Sequence, residues 1–144
     1  MQGAAALLRR YERFAAVSMT SIHPRYCPGE AARVVTDGGE CLGWLCIFRN
    51  AANGVTLCWI QADGEERGKG ERMIRQLTDL ADLHGTTLSL TVEGSSGLDE
   101  SKPDEEETEP DHRRARRLLR WYRRHGFAGR PGAEMHRHPQ TPDP

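Results

Sequence analysis

Val55-Thr56-Leu57-Cys58-Trp59-Ile60, then a polar, glycine-containing loop from Gln61 to Lys69, then Met73, Ile74, Leu77, Leu80 and Ala81 at three- and four-residue intervals: this stretch decides the fold. The first run is rich in β-branched and aromatic residues, as a strand requires. The second has the spacing of a helix that buries one face, and Gly85 is placed to stop it. Beyond it, Leu88, Leu90 and Val92 alternate with Thr87, Ser89 and Thr91, the period of a strand with one face on the core. Residues 55–92 therefore predict a strand–helix–strand crossover. Such a connection joins parallel strands with right-handed sense.

On the N-terminal side the pattern is that of hairpins. Val34 and Val35 precede the turn signal Asp37-Gly38-Gly39, Leu42 to Phe48 is a short apolar run, and Asn50 to Gly54 breaks the chain again before Val55. These segments predict three antiparallel strands in a meander, and with the parallel crossover the sheet must be mixed. Residues 3–17 place Leu7, Leu8, Tyr11, Phe14 and Ala15 at helical spacing, which predicts an amphipathic helix ending near Ser18. Pro24, Pro28 and Gly29 make 18–31 an irregular connection, in which the pair His23 and Cys27 reads as incidental.

On the C-terminal side, 94–111 lacks apolar periodicity, contains Gly94, Gly97, Pro103 and Pro110, and is dense in acids, so it reads as a mobile loop. An arginine-rich helix over 112–124 follows, with Ala115, Leu118, Leu119 and Tyr122 at helical spacing. Gly126-Phe127 ends it, one or two short strands are expected through Met135, and 139–144 should fray.

The chain of 144 residues has the size of one domain. The acidic and arginine-rich runs cancel to a formal net charge of −1, so no global field marks a nucleic-acid or membrane binder, and any electrostatic function must be local. Mean hydropathy is −0.69 because those two runs crowd the charge. Cys27, Cys41, Cys46 and Cys58 form no C-x-x-C pair, which reads as reduced, buried thiols. Arg9, Arg10, Glu12 and Arg13 interrupt the alanine-rich start, so neither a signal peptide nor a membrane span is expected, and a cytoplasmic location follows as the default expectation. Histidine and cysteine spacings match no structural zinc site, and no metal is expected.

The sharpest local signal is Arg67-Gly68-Lys69-Gly70-Glu71-Arg72, between an apolar strand and the first turn of a helix. A helix N-terminus exposes backbone N–H groups and a partial positive charge, and glycines let that backbone approach a pyrophosphate closely. The Walker A pattern fails, because Gly64 to Gly68 encloses three residues and Gly70 follows Lys69. A dinucleotide fingerprint fails at Met73. A second signal is Trp121-Tyr122-Arg123-Arg124-His125-Gly126-Phe127, which closes a helix and opens a strand.

Taken together, these two motifs resemble the GNAT-type N-acetyltransferases. That family's acetyl-CoA motif reads Arg or Gln, two residues, Gly, one residue, Gly or Ala; Arg67, Gly70 and Arg72 stand in those places, the last a departure. Its tyrosine four residues before Gly-Phe is matched by Tyr122, Gly126 and Phe127, whereas the asparagine often found seven residues before the tyrosine is Ala115. The resemblance covers about 32–138, and the family's first strand is not evident before 32.

The resemblance implies one α/β domain over 1–144, a central mixed, mainly antiparallel sheet flanked by helices. It also implies direct acetyl transfer from acetyl-CoA to an amine in a ternary complex. Ile60, Gln61 and Ala62 would pair with the pantetheine arm, and Arg67, Gly68, Lys69, Gly70, Glu71 and Arg72 would hold the pyrophosphate. Tyr122 would protonate the departing thiolate. An attacking ammonium must lose a proton, and Asp63 and Glu93, which follow two adjacent strands, are the candidate bases. The acidic run 99–111 would draw in a cationic small molecule or peptide as acceptor. Two other readings stand beside this one: a protein that binds acetyl-CoA without turnover, and a nucleic-acid-binding module built on the arginine-rich helix 113–124, which the neighbouring acids oppose. Oligomerisation stays open.

Overall fold

The computed structural model describes residues 3–12, 16–18, 31–64 and 68–140. His23 and Cys27 in the connection 18–31, Arg67, and the tail beyond 140 lie outside the described residues. The elements are α1 (Gly3–Glu12), β1 (Ala16–Ser18), β2 (Ala31–Asp37), β3 (Glu40–Arg49), β4 (Val55–Ala62), α2 (Lys69–Leu83), β5 (Leu88–Leu90), α3 (Pro110–Arg124) and β6 (Met135–Arg137). The strands form one sheet in the order β1-β2-β3-β4-β5-β6. Every neighbouring pair is antiparallel except β4 and β5, which are parallel. The fold is thus an α/β domain with a mixed, mainly antiparallel sheet flanked by helices.

Local chemistry explains the hairpins. Gly38 and Gly39 both take positive φ, 58° and 84°, the backbone that a two-residue turn between twisted strands demands. In the next turn Asn50 Oδ1 accepts hydrogen bonds from the backbone N–H groups of Ala52 (3.1 Å) and Gly54 (2.9 Å). Along α2, Met73, Ile74, Leu77 and Ala81 are buried, and the helix packs on β3, β4 and α1. Leu42, Leu45, Leu88, Leu119 and Met135 complete the core around them. The buried Arg137 of β6 binds Asp82 of α2 at 2.8 Å, which closes the far edge of the sheet onto that helix.

Four elements differ from the sequence reading. The N-terminal helix spans Gly3–Glu12, Phe14 and Ala15 lie outside the described residues, and Ala16–Ser18 is a strand pairing with Ala31–Arg33 of β2. A three-residue edge strand has no period of its own, and its partner defines it. This strand supplies the first strand that the sequence hides. At the other side, β5 ends at Leu90, so Val92 is buried but outside the ladder. The helix α3 begins at Pro110 rather than 112, with the proline in its first turn, where its missing N–H costs nothing.

The fourth difference is the acidic segment 94–111, which carries defined turns and a 3-10 turn at Asp104–Glu106. Buried Arg116 donates to Glu107 (3.1 Å), to Asp104 (3.1 Å) and to the Lys102 carbonyl (2.8 Å). Arg120 pairs with Asp104, and Arg123 pairs with Glu100. Arg116, Arg120 and Arg123 of α3 therefore hold Glu100, Asp104 and Glu107, and with them the segment, as a strap across the helix.

This arrangement sets an acid limit. Hydrogen bonding to Arg120 holds Asp104 below the ordinary aspartate range, and hydrogen bonding to Arg123 does the same for Glu100. Burial pushes Glu107 upward, but hydrogen bonds from Arg116 and from the Glu109 N–H bring it below its usual value. Folded-state values below the unfolded ones mean that these pairs stabilise fully above about pH 4 and are lost as pH falls through the lowered values. Hydrogen exchange over 99–107 should accelerate below about pH 4 before the sheet opens, and Arg116→Ala should give the same acceleration at neutral pH. Exchange that follows the sheet in both experiments would remove the strap.

Candidate functional site

The β4–β5 ladder is short. Val55 faces Leu88 and Thr56 faces Ser89, and there the pairing stops, while β4 continues along β3 to Ala62. The β3–β4 register explains the parting: Cys46 faces Trp59 and Ile47 faces Leu57, so Cys58 is the extra residue of a bulge on β4. A bulge bends its strand and increases its twist. Past the bulge, a cavity of about 370 Å3 opens between Cys58–Ala62 and Thr91–Gly94. That size is within the range of small-molecule sites.

Its third wall is one face of α3, at Asp111, Arg114, Leu118, Trp121 and Tyr122. This spacing is that of a single helical face. Gly70, in the first turn of α2, completes the lining. The residue ahead of that helix, Gly68, has φ 95°, and no side chain caps the helix. Nothing in the backbone of Gly70 requires glycine, and a Cβ there would touch only the Trp121 ring, at 4.0 Å. The glycine leaves a cradle at the end of the helix where the partial positive charge lies.

Tyr122 is buried, with its ring edge-on to Phe127 at 5.6 Å and beside Trp121 at 5.0 Å. Burial pushes its phenol up to about 12, against a smaller downward pull from Arg114. At neutral pH it is a proton donor. Among the described residues no protein group hydrogen-bonds its hydroxyl.

The cavity gathers Ile60, Ala62, Gly70, Glu93 and Tyr122 from the residues that the sequence singled out. Gln61 is exposed and outside the lining. Arg72 turns away, binding Asp37 (2.9 Å) and Glu40 (3.2 Å) at the β2–β3 turn, and those hydrogen bonds raise its pKa. Glu71 binds His125 Nε2 at 2.7 Å, tying the start of α2 to the end of α3. Burial raises the Glu71 pKa, but the bond to His125 and the neighbouring charges outweigh it and leave it lowered. The Lys69 ammonium donates to the Asp63 carbonyl at 3.3 Å, and the Asp63 N–H donates to the Leu42 carbonyl at 2.8 Å; neither residue lines the cavity. Of the two candidate bases, only Glu93 faces it. The sequence reading missed Asp111, Arg114, Leu118 and Trp121 as lining residues, although they extend the Tyr122 face by helical spacing.

Among the described residues no three metal-ligating side chains gather, and no helix is long and apolar enough to cross a membrane. No family model matches the chain, and no curated protein matches it. Among solved structures, the chain is similar to a protein from Bacteroides thetaiotaomicron assigned to the GNAT family of acetyltransferases. The TM-score is 0.52 at 13% identity, covering 96% of this chain and 85% of that one. The fold is therefore GNAT-like. An aminoglycoside 6'-acetyltransferase type Ii matches at TM-score 0.41 and 18% identity, over 94% of this chain and 85% of that one, and that likeness carries no argument.

The state of the phenol is directly measurable. The chain has three tyrosines, and a spectrophotometric alkaline titration should show one that keeps its proton until about pH 12. Tyr122→Phe should remove that late step and leave the others. A late step that survives the substitution would place the buried phenol elsewhere.

Proposed function

We propose that this chain is an acetyl-CoA-dependent N-acetyltransferase that moves an acetyl group to an amine by direct transfer in a ternary complex. The observation that carries this reading is the cavity where β4 leaves β5, with the unpartnered Tyr122 hydroxyl in its wall and the uncapped, glycine-opened start of α2 at its rim. The motifs around Gly70 and Tyr122 support it, and so does the fold.

The residues fit the donor. Gly70 offers the cradle for a pyrophosphate, with Gly68 turning the chain into the helix. Ile60 and Ala62 stand on β4, with β3 along one edge and the cavity along the other, where an extended pantetheine arm can lie. The donor supplies an activated thioester. The acceptor nitrogen forms the C–N bond as the C–S bond breaks, Tyr122 gives its proton to the leaving sulfur, and Glu93 or a water it orders takes the proton from nitrogen. Cys41 and Cys46, in no disulfide, fit a reducing cytoplasmic setting.

Calorimetry should show acetyl-CoA binding to the parent chain. Gly70→Asp, which puts a carboxylate into the cradle of a helix with room for it, should abolish that binding without unfolding the protein. Tyr122→Phe should keep the affinity and lower kcat by roughly 100- to 10,000-fold, the usual worth of general-acid help. Absence of heat with the parent chain would overturn the reading, and an unchanged rate in Tyr122→Phe would remove the tyrosine from the chemistry.

A further inference from the structure

The cavity has two chemically different ends. Trp121 meets Gly70 at one end, where α2 begins. At the other, a Cβ built on Gly94 would lie 3.4 Å from the Asp111 Cβ, so the chain leaving β5 meets the first turn of α3. From Asp111 to Trp121 the helix rises about 15 Å at 1.5 Å per residue. Arg114 belongs to the Asp111 end, two turns of helix before Trp121. Glu93 lies beside Gly94 at the same end.

Arg114 is the arginine of α3 that lines the cavity. Arg116, Arg120 and Arg123 are bound to the acids of the strap, and Arg113 donates to the Thr108 carbonyl at 3.2 Å. Among the described residues, the side chains of Arg114, Glu93 and Asp111 make no ion pair or hydrogen bond, and the Arg114 charge acts on the Tyr122 phenol. Asp111 and Arg114 are spaced three apart on one helix, where a pair could form, and they do not close on each other. The end of the cavity remote from α2 therefore offers one uncommitted guanidinium and two uncommitted carboxylates.

We propose that this end receives an acceptor that carries a carboxylate beside its amine, an amino-acid-type zwitterion, with Arg114 as the anchor for the carboxylate and Glu93 and Asp111 facing the amine. This rests on the transferase reading and names its substrate class. A guanidinium matches a carboxylate with two parallel N–H donors, which fixes the acceptor's orientation as well as its charge. Within 99–107, Glu100, Asp104 and Glu107 are bound to arginines, which takes their charge out of any attraction for a cation. A purely cationic acceptor would leave Arg114 opposed to it.

The test compares free amino acids with their carboxamides, which keep the amine and lose the negative charge. For the parent chain, kcat/KM should favour the acid by roughly 10- to 100-fold, the worth of a charged hydrogen-bonded pair. In Arg114→Gln that preference should collapse toward one, and Arg114→Lys should restore part of it, while acetyl-CoA affinity by calorimetry holds. Amides used as well as acids by the parent chain, a preference that survives Arg114→Gln, or a fall in acetyl-CoA affinity would each overturn the proposal, the last by assigning Arg114 to the donor. Should acetyl-CoA neither bind nor turn over, the transferase reading falls, and equilibrium binding of the same acids and amides judges the anchor independently. Tighter binding of the acids, lost in Arg114→Gln, supports it, and equal binding of both overturns it.

Discussion

Everything that makes a site in this molecule depends on the parallel pair β4–β5 being held together for two residue pairs and then released. The pair has to form, because the right-handed crossover through α2 brings Leu88 beside Val55, and the buried faces of both strands belong to one core. It has to end, because the bulge at Cys58 bends β4 while β5 gives way to the turn at Val92–Ser95. A sheet laddered to its end would fill the gap with hydrogen bonds and leave α3 nothing to cover. Released, the two chains form two walls, and α3 is the third.

The geometry of the helices follows from that opening. The bond from Glu71 to His125 and the contact of Trp121 with Gly70 bring the start of α2 to the end of α3 at one rim. The strap 99–107 fixes α3 along its outer side. The charge of Arg116, Arg120 and Arg123 is thereby spent within the domain, on acids that precede the helix in the chain. The segment's composition is that of a disordered run, and what orders it is the matching run of opposite sign, with Arg116 taken into the protein beside Glu107. Such a pair tolerates burial only because its remaining hydrogen-bond capacity is met by the Lys102 and Asp99 carbonyls.

The sequence was legible where periodicity and turn chemistry act locally. The hairpin at Gly38-Gly39, the crossover over 55–92 and the helix carrying Tyr122 follow from apolar spacing and from glycines in left-handed backbone. It was illegible where a partner distant in the chain decides. Ala16–Ser18 is a strand because β2 lies beside it, and the acidic run is ordered because α3 lies beneath it. Arg72 shows the same limit within the motif itself: its place in the sequence suggests a phosphate, whereas Asp37 and Glu40 sit thirty-odd residues earlier and claim its charge. Arg114, by contrast, was legible and overlooked, since it shares the helical face of Leu118 and Tyr122.

Two features mark the cavity. Tyr122 places a phenol that no described protein group hydrogen-bonds into the cavity wall. A helix whose N-cap is Gly68 without a side-chain bond forgoes only about a few tenths of a kcal/mol. Both lie where β4 parts from β5. Local losses at one opening fit the ligand site proposed there. The cradle at Gly70 adds to this, because alanine would fit there sterically and favour the helix by roughly 0.5–1 kcal/mol. What an alanine would take away is the close approach of an anion to the α2 backbone, and that approach is the physical link between the fold's one released strand pair and the chemistry proposed for it.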